Sequence, residues 1–336
     1  MSPIEITEHD RTIYENEIKP YLPKHVFDAH VHLIASRFHP NIKETLAFVK
    51  DPTMNDVDCA SLQEWWSALL PDSTVAGMMM GFPTTDVDMA QENAYVAEQS
   101  KAEGYPFALL THPTTSAEDL EAEIKRLRPS VLKPYLIFAQ NGDTAMAAIT
   151  DLIPEHQLAL ADQYGLAIML HVSKPQGMAD ADNLTDITRL IKEFPKAQFI
   201  LAHCGRCFIP PNMEKTLDQL PVADNLWLDT SAVCDLGVFI ELLNRYDRSR
   251  ILFGTDLVSP TAFRGNYIRM GMSWHACTAD MVTRPGGMPD KTTYAVYEGL
   301  SSLCRAMRLS GCSEDDRLDI FYRNACKLYN YSGDAS

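Results

Sequence analysis

Apolar residues gather into eight short runs, at 26–33, 74–82, 107–112, 131–138, 166–173, 198–204, 226–233 and 251–258. Each is rich in Val, Ile, Leu, Phe or Met and lacks strict alternation, which is how strands covered on both faces read. Stretches with helical spacing fill the intervals, at 57–70, 87–103, 117–127, 154–164, 182–193, 212–220, 236–245 and 291–309. Eight strand–helix units predict a closed (β/α)8 barrel, the α/β TIM barrel. The competing arrangement, an open doubly wound sheet, ordinarily carries a Gly-rich phosphate turn after its first strand. The sequence shows no such turn.

What remains outside the repeat reads as extensions of one domain, 21–332, preceded by a polar N-terminal arm, 1–20. Long loops follow strand one (34–56) and strand eight (259–290), and a closing amphipathic helix spans 313–331, with Leu318, Phe321, Ala325 and Leu328 along one stripe. Loops this long in a compact enzyme are commonly functional. These are expected to bring Arg37, His39, Tyr267, Trp274 and His275 to the barrel mouth. Apolar surface on the closing helix would let copies pair as a homo-oligomer.

The first strand contains His30-Val31-His32. Strand residues two apart point the same way, so the two imidazoles suit one borderline ion such as Zn²⁺. Taken alone, the pair could equally be two buried, hydrogen-bonded histidines. Three further apolar runs end in comparable groups, His171 on strand five, His203 on strand six and Asp256 on strand eight. All fall at C-terminal strand ends, the face on which barrel active sites are built. Strand four places Lys133 in a run that should be apolar. Such a lysine reaches the mouth or a carboxylate, or it is carbamylated by CO₂ and bridges two metals.

This ordered set, His-x-His on strand one, Lys on four, His on five, His on six and Asp on eight, resembles the amidohydrolase superfamily of metal-dependent hydrolases. Phe27-Asp-Ala-His-Val-His32, Leu201-Ala-His-Cys-Gly205, Leu252-Phe-Gly-Thr-Asp256 and Arg323-Asn324-Ala325 narrow the resemblance to the amidohydrolase-2 group, over residues 25 to 331. That group contains aminocarboxymuconate-semialdehyde decarboxylase, related aromatic-acid decarboxylases and pyrone-dicarboxylate lactonases. The resemblance implies that His30, His32, His171 and Asp256 bind a divalent ion, most simply one Zn²⁺, and that His203 stays off the metal to polarise substrate or assist the attacking water. A carbamylated Lys133 would add a second ion. Three neutral imidazoles and one carboxylate leave the ion able to lower the pKa of water towards about 7, and Asp256 can take the proton. The implied activity is metal-dependent hydrolysis of a small carbonyl substrate: a lactone, an amide or a related carboxylated compound. The alternative is non-oxidative decarboxylation of an aromatic or muconate-like acid. A non-catalytic barrel would be marked by lost ligands, and none is lost.

The formal net charge of −16 argues against a nucleic-acid partner. It also means that an anionic small-molecule substrate needs local positive groups. Arg206, three residues beyond His203, is foremost, ahead of Arg264 and Arg269; Tyr135 and His275 complete the expected substrate-binding set. No run of eighteen apolar residues exists and the first residues lack a basic and apolar leader. A cytoplasmic protein without a membrane segment is therefore expected. The eight cysteines read as buried thiols, since Cys204-Gly-Arg-Cys207 sits at a strand end rather than at the helix start that redox chemistry needs.

Overall fold

The computed structural model describes residues 4–42, 56–258, 261–278, 281 and 291–333. Strands β1 (His25–Ala35), β2 (Thr74–Gly81), β3 (Ala108–Thr111), β4 (Val131–Pro134), β5 (Ala167–Leu170), β6 (Gln198–Leu201), β7 (Leu226–Asp229) and β8 (Ile251–Leu252) match the eight apolar runs. β1 pairs with β2, and β3 to β8 pair in sequence order, all in parallel. Parallel bridges Met79–Phe107 and Val31–Leu257 join the two sheets at both edges. With Ala29 N donating to Phe253 O at 2.8 Å and His32 N to Leu257 O at 2.7 Å, the ring closes.

Helices α1 (Cys59–Leu69), α2 (Met89–Glu103), α3 (Ala117–Leu127), α4 (Glu155–Tyr164), α5 (Ala181–Glu193), α6 (Pro210–Gln219), α7 (Leu236–Arg245) and α8 (Ala295–Leu309) lie at or within a few residues of the expected intervals. α3 shows the local logic. Ser116 caps it by accepting from Asp119 N, acidic residues fill its first turn, and Leu120 and Ile124 are its buried stripe.

Side chains along each strand divide between two apolar cores. Val131, Ala167, Met169, Ile200, Ala202, Trp227 and Leu252 fill the barrel lumen, while Leu132, Ile168, Leu170, Phe199, Leu201, Leu226 and Leu228 face the helices. β1 breaks this alternation. Phe27 and Ala29 belong to the lumen, Val31 and Leu33 to the outer core, and the pairing with β2 shifts register between Asp28 and Val31. A bulge of this kind re-aims side chains, so His30 and His32 turn inward above Ala29.

The extensions carry secondary structure where a polar arm and long loops were expected. The arm is helical, Glu8–Ile13 running into Tyr14–Ile18, and Asp10, Tyr14 and Ile18 are buried. Asp10 accepts from Arg264 at 2.7 Å and from Thr293 Oγ1 at 2.6 Å, so Arg264 pins the arm and is spent as a substrate group. In the segment after strand eight, β9 (Gly265–Met270) and β10 (Ser273–Thr278) form an antiparallel hairpin. The rest of that segment at 259–260, 279–280 and 282–290, and positions 43–55 of the loop after strand one, lie outside the described residues. Near the C-terminus, Ala325 and Tyr329 plug the bottom of the lumen. No helix among the described residues is long and apolar enough to cross a membrane.

Candidate metal centre

The parity of each strand decides what reaches the mouth. Above Val131 on β4 the lumen positions are Lys133 and Tyr135; above Met169 on β5 comes His171; above Trp227 on β7 comes Asp229. Two further groups arrive on backbone that leaves the strand in a left-handed conformation. His203 (φ 56°) opens a turn in which Cys204, Gly205 and Arg206 also have positive φ, and Asp256 has φ 61°. Non-glycine residues adopt this region at a cost of order 1–3 kcal/mol each, and persist there only where surrounding contacts over-determine them.

The imidazoles and the carboxylate converge. His30 Nε2 lies 3.4 Å and His32 Nε2 3.3 Å from Asp256 Oδ1, and His203 Nδ1 lies 4.0 Å from Asp256 Oδ2. Ring centroids of His30 and His203 are 4.9 Å apart, and those of His171 and His203 5.0 Å. His30, His203 and Asp256 offer donor atoms that all lie within 4.8 Å of one another.

Hydrogen bonds on the far side of each ring fix where the lone pairs are. His30 Nδ1 donates to Asp229 Oδ2 at 2.9 Å, His32 Nδ1 to the Gly81 carbonyl at 3.1 Å, and His203 Nδ1 to the Ser231 carbonyl at 3.1 Å. Each contact places the proton on Nδ1 and leaves Nε2 an acceptor. Among the described residues His30 Nε2 has no hydrogen-bond partner, nor has His171 Nδ1. Burial lowers the basicity of the rings: His30 falls to about 4, His171 well below the usual histidine value, and His203 below it too. Burial works against the Asp256 carboxylate, yet His203, His30 and His32 hold its pKa below the ordinary value. With its Nδ1 proton directed to Asp229, His30 turns the lone pair of Nε2 toward Asp256 Oδ1 at 3.4 Å, an arrangement of acceptors that a cation resolves. The donor set fits a divalent metal ion.

Lys133 stands beside this cluster. Its ammonium is fully buried with no hydrogen-bond partner among the described residues and sits 4.8 Å from the centre of the Tyr135 ring. Burial brings its pKa down to about 8, against the pull of Asp229 and Asp256.

A pocket of about 220 Å³ opens over the cluster, lined by Tyr135, His171, His203 and Asp256 below and by Phe82, Arg206, Phe208, Tyr267 and Trp274 around. The Tyr135 ring stacks on His171, and Phe208 packs 4.1 Å from Trp274. Arg206 donates to the Val172 carbonyl at 2.8 Å and has no carboxylate partner among the described residues. The structure therefore brings together His30, His32, Lys133, Tyr135, His171, His203, Arg206 and Asp256. It leaves His275 outside: on β10 this residue is exposed and paired opposite Ile268, while its neighbour Trp274, on the other strand face, lines the pocket. Arg269 is exposed near Asp235, and His39 is buried against Thr84 and Glu92.

Asp229 and Ser231 escaped the sequence reading, as did the pocket walls Phe82 and Phe208. Asp229 accepts from His30 Nδ1 and, through Oδ1, from His203 N at 2.9 Å and Ser231 N at 3.0 Å. The Ser231 hydroxyl also donates to Asp229 and lies 2.9 Å from His203 Nδ1. The signal was present: an aspartate closing the buried run Leu226-Trp-Leu-Asp229 has the same placement as the ligands themselves.

The model of the amidohydrolase-2 family, described as amidohydrolase, matches residues 27–331. No curated protein matches by sequence. Among solved structures, 4-oxalomesaconate hydratase from Rhodopseudomonas palustris is 15% identical, with a TM-score of 0.56 over 91% of this chain and 95% of its own. A probable 2-pyrone-4,6-dicarboxylic acid hydrolase from Acinetobacter baumannii, solved with citric acid, is 13% identical (TM-score 0.54; 91% and 99% covered). A dihydroxybenzoic acid decarboxylase from Polaromonas sp. JS666, with manganese and 2-nitroresorcinol, is 16% identical (TM-score 0.55; 92% and 98% covered). At these identities the likeness is one of fold.

Proposed function

This chain belongs to the amidohydrolase-2 family of metal-dependent enzymes, and within it we propose a hydrolase of small, flat, carboxylated carbonyl compounds such as a lactone or a cyclic amide. The observation that carries this reading is the hydrogen bond behind His203: its Nδ1 donates to the Ser231 carbonyl, which leaves Nε2 an acceptor, and with the Asp256 carboxylate beside it at the pocket floor both groups are set to take protons rather than to give them.

His30, His32, His171 and Asp256 would hold one divalent ion, for which a nitrogen-rich set favours Zn²⁺, with the manganese of the Polaromonas enzyme pointing to the other choice. When bound, the ion supplies a Lewis acid for the substrate carbonyl and makes water more acidic. The substrate ring packs between the Tyr135–His171 stack and the Phe208–Trp274 wall, in a pocket smaller than the ~300–1,000 Å³ of drug-sized ligand sites. Arg206, a cation with no carboxylate partner among the described residues, takes a substrate carboxylate. Asp256 accepts the proton of the attacking water as the new C–O bond forms, then returns it to the leaving oxygen or nitrogen as the old bond breaks. In this reading Lys133 remains an ammonium over Tyr135 beside one ion, whereas a carbamylated Lys133 would add a second. Eight unpaired cysteines fit a reducing, cytoplasmic setting.

Decarboxylation is the second reading, and the aromatic lining favours it, since such a pocket would also hold a hydroxylated aromatic acid. It needs a proton delivered to carbon, which the resting forms of His203 and Asp256 do not offer. The test screens lactones, amides and hydroxylated aromatic acids with the Zn²⁺- and Mn²⁺-loaded protein and runs any hit in ¹⁸O-water. Label in a carboxylate product is expected. Release of CO₂ with no label in the organic product overturns hydrolysis in favour of decarboxylation.

A further inference from the structure

Asp28 lies below the cluster, fully buried, and does not line the pocket. Its carboxylate accepts four hydrogen bonds: from Thr255 N at 2.9 Å and His30 N at 3.3 Å on Oδ1, and from Thr255 Oγ1 at 2.5 Å and Trp66 Nε1 at 3.2 Å on Oδ2. Only an acceptor-only group with two oxygens satisfies four donors at once; an asparagine would confront two of them with its own N–H groups. The first two donors frame His30 and Asp256, which come from opposite ends of the chain's barrel and meet where the ring closes. Thr255 also accepts from Leu257 N at 3.1 Å, so the residues on both sides of Asp256 are tied through one hydroxyl, while Asp256 N donates to His30 O at 2.9 Å. Asp256 sits in its left-handed conformation at the centre of that frame. The pattern repeats across the site: Asp229 holds the other left-handed residue, His203, through its backbone N–H, and also holds His30.

We infer that Asp28 is a positioning residue of the metal centre, acting through Thr255 to hold Asp256 in its strained conformation and through the His30 backbone to set the distance between these two ligands. The inference rests on the reading that His30 and Asp256 hold the ion. A buried carboxylate could instead serve packing alone, anchoring α1 through Trp66. The two roles separate in metal affinity, because the Trp66 bond leads away from the ligands and the Thr255 bonds lead to them.

The experiment measures Zn²⁺ dissociation constants by chelator competition, with thermal unfolding in parallel, for the wild type, Asp28→Asn, Thr255→Val and Trp66→Phe. Asp28→Asn and Thr255→Val should each weaken Zn²⁺ binding by about 10-fold or more, the range seen when outer partners of metal ligands are removed. Their double variant should lose little beyond the worse single one, since both cut one link. Trp66→Phe should lower the unfolding temperature yet keep the dissociation constant within about 2-fold. Should Asp28→Asn not fold, Thr255→Val carries the test alone. Wild-type affinity in Thr255→Val, or equal weakening in Trp66→Phe, overturns the positioning role while leaving the metal centre standing. A wild-type chain without measurable Zn²⁺ affinity overturns both.

Discussion

The two ends of the barrel lumen are built from the same eight strands and obey opposite rules. At the lower end Phe27, Met78, Val131, Met169, Ile200, Trp227 and Leu252 interdigitate with Ala29, Ala76, Ala108 and Ala167, and Ala325 and Tyr329 close the bottom. There the interior is apolar, rotamer-filling and regular, as a packed core requires. At the upper end the same lumen holds Lys133, four lone-pair-bearing imidazoles and two carboxylates. His203, Cys204, Arg206, Ala232 and Asp256, all just beyond strand ends, have positive φ. The lower end stores the stability that the upper end spends on strain and uncompensated polar atoms.

That contrast is sharpest when each end is damaged separately. The largest effect is expected at the bottom: Met78→Ala, fully buried in the lumen, should cost about 2–5 kcal/mol of unfolding free energy. Its folded fraction should keep kcat/KM within about 3-fold, and denaturant unfolding with parallel kinetics checks both. Loss of activity equal to His203 substitution would mean that the two ends are coupled. Next comes His203→Asn, expected to reduce turnover by about 10²-fold with only a small change in Tm and with most of the metal retained. His171→Asn should lose metal as well, and elemental analysis of the two proteins distinguishes a ligand from a proton acceptor; equal loss would make His203 a ligand. The smallest of the three concerns the rim, where Arg206→Ala should raise KM for carboxylated substrates by about 10-fold and leave kcat nearly unchanged. An unchanged KM would return Arg206 to a purely structural bond with Val172.

The lower end was legible in the sequence because burial leaves a compositional trace. All eight apolar runs became strands and all eight helical intervals became helices, since each burden of burial falls on a regular repeat of side chains. His171 and Lys133 were also readable, sitting on the lumen parity of straight strands. His30, His32, His203 and Asp256 were named from the sequence as well, but the backbone that aims them was not legible, for physical reasons. The inward turn of His30 and His32 depends on a bulge at Asp28–Val31, a backbone irregularity with no side-chain signature. His203 and Asp256 depend on left-handed backbone at non-glycine positions, where no residue type announces the conformation. Asp229 was passed over although it closes a buried strand as the ligands do, because its main task, accepting from His30 Nδ1 across 199 residues, leaves no local pattern. His275 failed as a pocket residue because alternation along β10 could not be phased until the hairpin was known; a shift of one position gave the pocket to Trp274.

The hairpin itself has an evolutionary consequence. Among the described residues β9 and β10 pair only with each other, and they are fastened at their base, where Gly265 N donates to the Thr293 carbonyl at 3.0 Å and Arg264 bonds Asp10. Gly265 carries no side chain because a Cβ there would fall 2.1 Å from the Cys277 carbonyl oxygen. Two of the aromatic pocket walls, Tyr267 and Trp274, therefore ride on one contiguous cassette that contributes no candidate ligand. Such a cassette can be lengthened, shortened or exchanged between lineages while the ligand frame stays intact, so substrate range and catalytic chemistry are free to change at different rates.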